Sequence, residues 1–313
     1  MNLLNLFRPS VSPPSSSGSP RRATVALGGG GARGLAHLGV LQALGEAGVQ
    51  TERIVGVSMG SLVGAMCAAY PDIHRAEAKA MELLYSPAFK QRQRELFGAA
   101  PSDAEESSSG IFPWYGRIRQ YLSAHRKLNR AVTSASLISE QPLRDSIDFL
   151  LPDVDIEDLP LPLSIVAVDL LSGQRVVLES GPLREAVRAS AAIPGIFPPV
   201  PWRNMLLSDI GVIESVPTFV AKAYATDLTV AVDVGQNLTR IDHCQTAMEI
   251  MMRVDDICER LVRGQMLDIA DVVVRPDVGH VAWFDFNNPE RLMERGRQAA
   301  HQALAATRAA EAA

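Results

Sequence analysis

Thr24-Val25-Ala26-Leu27-Gly28-Gly29-Gly30-Gly31-Ala32-Arg33-Gly34 and, one crossover later, Arg53-Ile54-Val55-Gly56-Val57-Ser58-Met59-Gly60 decide the fold of this chain. Each is a short apolar run that stops at small residues and hands over to a helical pattern. After the first, Leu35, Leu38, Val40, Leu41 and Leu44 recur at helix-face spacing up to Gly48. After the second, residues 61–69 are small and apolar and end before Pro71. Strand, helix and strand in that order imply two parallel strands in one sheet, because a crossover is what returns the chain in the same direction.

The alternation resumes further on. Strands are expected at 163–168, 175–178, 205–208, 228–233 and 272–274, and helices at 183–190, 216–225, 246–266 and 289–310. A turn is expected at Leu171-Ser172-Gly173-Gln174 and a proline-rich loop at 193–201. This is an α/β pattern, an open and mostly parallel sheet covered on both faces. Residues 9–20 are almost all Ser, Pro and Gly, so 1–22 reads as a disordered leader and 23–313 as the domain. Residues 99–110 are acidic and serine-rich, a mobile loop. Phe112, Trp114, Tyr115, Ile118, Tyr121 and Leu122 then form either a packed helix or an apolar cap over a cleft, making 86–130 a loop-and-cap segment.

The chain has 313 residues, 47% hydrophobic and 21% charged, ample for a core. A net charge of −5 argues against a nucleic-acid partner and gives no broad attraction to anionic membranes, a local patch apart. Cys67, Cys244 and Cys258 lie far apart, as in a reduced cytoplasmic protein. No apolar run reaches the about 18 residues of a membrane span. Met1 to Phe7 lacks the basic region and length of a signal peptide; it is a frayed terminus or a peripheral membrane contact. No metal-ligand cluster is visible, and nothing calls for a cofactor.

Gly29, Gly31 and Gly34 satisfy GxGxxG, but a dinucleotide fold wants an acid at the end of the second strand, where Gly56-Val57-Ser58 stands. What remains is a turn presenting backbone N–H groups beside a helix N-terminus, a place for an anion such as an acyl-transfer oxyanion. Arg33 in the first helical turn opposes the helix dipole, so it needs an acidic partner or an anionic ligand.

Gly56-Val57-Ser58-Met59-Gly60 is a GxSxG turn between a strand and a small-residue helix, the setting of an exposed nucleophilic serine. Serine needs a base. Ser58 comes too early for an α/β-hydrolase order, and His37, His74, His243 and His280 lie on helices or in loops without a persuasive setting. A carboxylate is then required. Asp209, at the end of the apolar run 205–208, is the best placed; Asp169, Asp227 and Asp233 compete on the same argument.

These residues together resemble the patatin-like phospholipases, in particular the bacterial branch related to neuropathy target esterase. The resemblance runs from Gly29 to Leu41 and through Gly56-Val57-Ser58-Met59-Gly60-Ser61. It continues in Val168-Asp169-Leu170 with Ser172-Gly173, and in Ala189-Ser190-Ala191-Ala192-Ile193-Pro194-Gly195-Ile196-Phe197-Pro198-Pro199-Val200. It implies a three-layer α/β/α sandwich and a Ser–Asp dyad without histidine, Ser58 the nucleophile and Asp209 the base. It further implies an oxyanion hole from the N–H groups around Gly29, Gly30 and Gly31, in the loop that continues through Ala32, Arg33 and Gly34. Substrates would be phospholipids, lysophospholipids or other acyl esters. One departure stands out: the family's Asp is followed by Gly and then Gly or Ala, and here Asp209-Ile210-Gly211 occurs. If the middle position needed positive φ, the branched Cβ of Ile210 would make it costly. A catalytically weak lipid- or protein-binding adaptor and a small-ester esterase or thioesterase are the alternatives.

Overall fold

The computed structural model describes residues 21–97, 136–211 and 213–311. Within them β1 (Arg21–Leu27), β2 (Val49–Val57), β3 (Leu163–Asp169), β4 (Gln174–Leu178), β5 (Val200–Trp202), β6 (Met205–Ser208), β7 (Leu228–Val232) and β8 (Val272–Val274) form one sheet. The helices are α1 (Ala36–Glu46), α2 (Met59–Ala69), α3 (Ile73–Tyr85), α4 (Pro87–Phe97), α5 (Gln141–Leu150), α6 (Leu183–Ser190), α7 (Thr218–Ala221), α8 (Ala247–Asp268) and α9 (Pro289–Glu311). Residues 1–20 of the leader expected at 1–22, the loop expected at 99–110 and the aromatic segment at 111–128 lie outside the described residues. Arg21 and Arg22, by contrast, belong to β1, paired with Val49 and Gln50 of β2, so the domain begins before residue 23.

Alternation along the strands builds three layers. In β1, Val25 and Leu27 join a core with α1, α2, α6 and α9, while Ala26 faces the opposite side. There Ala26, Val55, Val57, Val166 and Ala231 pack against Val220 and Ala221 of α7 and Leu267 of α8. Both faces of the central strands are therefore dry, which is why their sequences are nearly continuous apolar runs.

Strand order along the sheet is β5-β6-β3-β2-β1-β7-β8. β3, β2, β1, β7 and β8 are mutually parallel, whereas β4 and β6 run antiparallel to β3, and β5 to β6. β4 and β6 both pair with Val168 and Asp169, so they must occupy opposite edges of β3. β2 pairs with β3 only as far as Val57 against Val166. β6 thus takes over the edge where β2 stops, approaching from the other direction. The C-terminal ends of the two strands meet head to head.

Three expectations change. The helix expected at 216–225 is only α7, because the turn tightens to Ala223 N–H on Val220 O and Tyr224 N–H on Ala221 O. That lets the Tyr224 hydroxyl reach Ser164 and Glu179 at 2.9 and 2.7 Å. The proline-rich loop contains a strand, β5, whose Pro201 is tolerated at the sheet's edge. Residues 87–97, within the segment read as loop and cap, are helical, following α3, whose Asp72 caps His74 N–H at 3.0 Å.

Gly60 is the tightest contact between α2 and the sheet: a Cβ there would stand 2.1 Å from the Leu27 carbonyl oxygen. Gly60→Ala forces a backbone shift costing about 2 kcal/mol, an expected fall of about 4–8 °C in the melting temperature by calorimetry. Gly45→Ala in α1, where a Cβ meets nothing within 4 Å, is the control and should not lower it.

Candidate active site

Ser58 stands between β2 and α2 at φ 54°, ψ −122°. Among the described residues only Arg203 is another non-glycine at positive φ. Such a conformation costs about 1–3 kcal/mol and persists only where neighbours hold it. The Ser58 N–H donates to Ser190 Oγ at 2.9 Å, and Ser190 Oγ donates to Val166 O at 2.7 Å, so α6 and β3 grip the turn from below. The Ser58 carbonyl receives Ser61 N–H at 2.9 Å, Leu62 N–H at 3.2 Å and Ser61 Oγ at 2.7 Å. Gly56 and Gly60 leave room for this turn, a Cβ on Gly56 falling 2.5 Å from Gly60 O. Met59 packs against Gly34 and lines the cavity described below.

Asp209 follows β6, so the head-to-head meeting of β6 with β2 carries it to Ser58. Its N–H donates to Ala192 O at 3.0 Å, beside Ser208 Oγ on the same oxygen at 2.7 Å. The carboxylate is 3% exposed and accepts Gly211 N–H at 2.6 Å, and the Ser58 side chain is near enough to act on its ionisation. Burial pushes Asp209 up to about 6, outweighing the Ser58 side chain and the Gly211 N–H, which act to lower it. Ile210 is not at positive φ, so its branched Cβ brings no backbone strain. Its side chain is buried beside Val57, Val166 and Val216. Gly211 is the constrained position, since a Cβ there would stand 2.8 Å from Asp209 Oδ1.

The other candidate acids are occupied elsewhere. Asp169 accepts from Leu171 N–H, Ser172 N–H, Ser172 Oγ and Leu206 N–H, which ties the β3–β4 turn and holds its carboxyl below the ordinary range, the Ser172 hydroxyl bond first. Asp227 pairs with Arg22 at the start of β1, at the opposite end of the sheet. Asp233 pairs with Arg263 at 3.0 Å. Of the described histidines, His74, His280 and His301 pair with Glu77, Asp277 and Glu46, His243 is exposed, and none bonds Ser58 or Asp209.

The glycine loop is held by its neighbours. Gly28 N–H donates to Val232 O at 3.1 Å, Gly29 N–H to Ser215 O at 2.7 Å and Ala32 N–H to Trp283 O at 2.6 Å. Gly30 and Gly31 N–H are left without an acceptor among the described residues. Gly29 lies against Ser58, a Cβ there falling 3.2 Å from Ser58 Cβ. Arg33 is buried and bonds no acid directly. Its Nε donates to Gly30 O at 3.2 Å, and its guanidinium reaches Gln236 Oε1 and Val281 O, each at 3.5 Å. Burial first, then Arg263, pushes Arg33 down to about 10, opposed by Glu259 and Asp233. A peptide is planar and trans, so its C=O and N–H point opposite ways. By holding Gly30 O, Arg33 fixes the direction of Gly31 N–H.

Ser58 opens onto a cavity of about 170 Å³ running along α2 past Leu62, Val63 and Met66, and closed by α3, α4 and α5. Its walls are almost wholly apolar; Arg92, which contributes to them, is paired with Asp145 at 2.8 Å. Among the described residues no group of three or more His, Cys, Asp or Glu could hold a metal ion, and no helix is long and apolar enough to cross a membrane. Ser190 and Ser215 are the functional neighbours that sequence reasoning missed. Ser190 lay inside the 189–200 block, but nothing in a serine's identity announces that it supports another serine's N–H.

The family model described as patatin-like phospholipase matches residues 25–222, more than half of the chain. An uncharacterized NTE family protein of Mycobacterium tuberculosis strain H37Rv is 33% identical over 219 residues, 70% of this chain and 50% of that protein. Patatin-like phospholipase domain-containing protein 6 of Homo sapiens is 33% identical over 213 residues, 67% of this chain and 13% of that protein. The chain therefore spans about half the length of the mycobacterial relative and far less of the human one. Among solved structures, VipD from Legionella pneumophila aligns over 93% of this chain and 68% of its own, at 15% identity and TM-score 0.46. With the family model covering both the serine turn and the aspartate loop, the chain belongs to the patatin-like phospholipase family.

Proposed function

We propose that this chain hydrolyses the acyl esters of lipids, phospholipids or lysophospholipids, through a Ser58–Asp209 dyad. One observation carries the reading: a serine on a strained turn and a buried carboxylate come together where two strands end, beside two unoccupied backbone N–H groups. Ser58 Oγ attacks the acyl carbonyl as its proton passes to Asp209, and the Gly30 and Gly31 N–H groups receive the oxyanion. The tetrahedral adduct collapses to an acyl-serine, and the departing alkoxide takes the proton from Asp209. Water then attacks the acyl-serine, giving its proton to Asp209, and Ser58 recovers that proton as the fatty acid leaves. A carboxylate raised to about 6 accepts a proton near neutral pH more readily than an ordinary aspartate.

The cavity supports an acyl chain rather than a small polar ester. From Ser58 to Met66 it follows eight residues of α2, roughly 12 Å at 1.5 Å per residue. Such lipids reside in membranes, so a peripheral membrane contact goes with this reading. The silent-adaptor alternative drew on Ile210, which here packs without strain.

Ser58→Ala is expected to abolish labelling by a fluorophosphonate probe and to lower ester turnover by ~10³-fold or more. Unchanged turnover in that variant would overturn the proposal. Ala80 lines the cavity on α3. Ala80→Phe should shift the preferred ester toward shorter acyl chains, measured across a chain-length series of nitrophenyl esters.

Turnover should rise with a single ionisation and level off above pH about 6, as Asp209 becomes the anion that can accept the serine's proton. Stability runs the other way. Asp209 is raised in the fold relative to about 3.9 unfolded, so its favourable contribution is full below pH about 4 and lost as pH rises through about 6. Keeping it ionised at pH 8 costs on the order of 3 kcal/mol. Asp209→Asn is therefore expected to abolish turnover yet raise the melting temperature at pH 8, with the gain fading toward pH 4.

A further inference from the structure

Beneath the glycine loop lies a buried titratable group that the hydrolytic scheme does not use. His37, the second residue of α1, is 0% exposed and bonds neither Ser58 nor Asp209. Its Nε2 stands 2.7 Å from the Gly28 carbonyl oxygen. A carbonyl can only accept, which assigns the proton to Nε2 and leaves Nδ1 bare. Nδ1 has no hydrogen-bond partner, and burial holds the ring down to about 4, so it is neutral at working pH. A buried nitrogen without a partner is unfavourable, and an apolar side chain would fill the same space without it. The Nε2–H must therefore matter to what it holds.

It holds one end of the Gly28–Gly29 peptide. The other end, Gly29 N–H, donates to Ser215 O at 2.7 Å. One rigid plane is thus pinned from α1 on one side and from the segment that follows Asp209 on the other. The next two peptides carry Gly30 and Gly31 N–H, and they join glycines, which by themselves select no conformation. Downstream, Arg33 on Gly30 O and Ala32 N–H on Trp283 O fix the far end. His37 fixes the near end, directly before Gly29 passes Ser58.

We propose that His37 is a positioning residue whose neutral Nε2–H clamps the Gly28–Gly29 peptide and thereby aims the Gly30 and Gly31 N–H groups at the carbonyl attacked by Ser58. It acts as a donor to backbone and never as the base. Its consequence for rate rests on the hydrolytic reading; the clamp itself does not.

The experiment compares His37→Leu, which removes the donor, with His37→Gln, whose terminal amide offers an N–H at similar reach. Hydrogen exchange is followed at residues 28–32 in the full chain, together with kcat and KM normalised to fluorophosphonate-titrated serine. In His37→Leu, exchange in the loop is expected to quicken at least ~10-fold while β1 keeps its protection. kcat per titrated serine should fall ~10- to 100-fold, less than the ~10²- to 10³-fold of losing an oxyanion donor outright because the donors are misaimed and not removed, with KM within about 2-fold. His37→Gln should recover most of both. Unaltered loop exchange in His37→Leu, or a His37→Gln no better than His37→Leu, overturns the proposal. So does an unchanged kcat per titrated serine. Should the wild type neither label nor turn over esters, the hydrolytic reading fails while exchange still judges the clamp. Should His37→Leu not fold, nitrogen-15 spectra of the wild-type ring decide: a non-titrating Nε2–H tautomer between pH 5.5 and 8 is expected, and an Nδ1–H tautomer overturns it.

Discussion

Along one edge of β3, two strands of opposite direction share the available hydrogen bonds. β2 uses Leu163 to Val166 and stops; β6 takes up Val168 and Asp169 from the other side. Nothing separates their C-terminal ends except the residues that leave them, Ser58 upward into α2 and Asp209 into its loop. The register of β3 is therefore what brings a hydroxyl and a carboxylate together from positions far apart in the chain. The conformation of Ser58, the grip of Ser190 and the bond from Gly211 to Asp209 refine that contact but could not create it.

The same junction explains the electrostatics. A carboxylate at the meeting of two core strands is stripped of water, and the Gly211 N–H and the Ser58 side chain do not restore what burial removes, so Asp209 keeps its proton more tightly than an exposed acid would. Charge nearby is compensated differently. Ser215, whose carbonyl receives Gly29 N–H, donates its hydroxyl to Glu259 of α8. Glu259 pairs with Arg263 at 3.1 Å, and Arg263 with Asp233 at 3.0 Å. This buried network has opposite charges in direct contact and reaches Arg33 through space. Through Ser215 alone it contacts both the glycine loop and the segment after Asp209.

Much of the frame is legible in the chain itself. Thr24 to Gly34 and Arg53 to Gly60 each spell strand, turn and helix, because apolar runs, glycines and helical spacing act over a few neighbouring residues. The edges were less readable. β5 hides among Pro198, Pro199 and Pro201 because only an edge position excuses a proline, and an edge is a property of the whole sheet. The turn after α7 tightens because Tyr224 has partners on β3 and β4, which local propensity does not contain.

What the sequence by itself determined is the α/β alternation, the strand-to-helix turn at Ser58 and a glycine loop one crossover before it, since these follow from local periodicity and steric demand. It ranked Asp209 first but left Asp169, Asp227 and Asp233 in competition with it, each an acid beside a strand terminus. Tertiary structure separated them by neighbour: a turn for Asp169, arginines for Asp227 and Asp233, and for Asp209 no charged partner among the described residues but a dry position beside Ser58. It also decided that Ile210 sits without strain and that His37 and Ser190 support the loop and the turn. The physical reason is common to all of these. A side chain's chemistry depends on what desolvates it and what it bonds, and those neighbours arrive from distant segments only when the sheet closes.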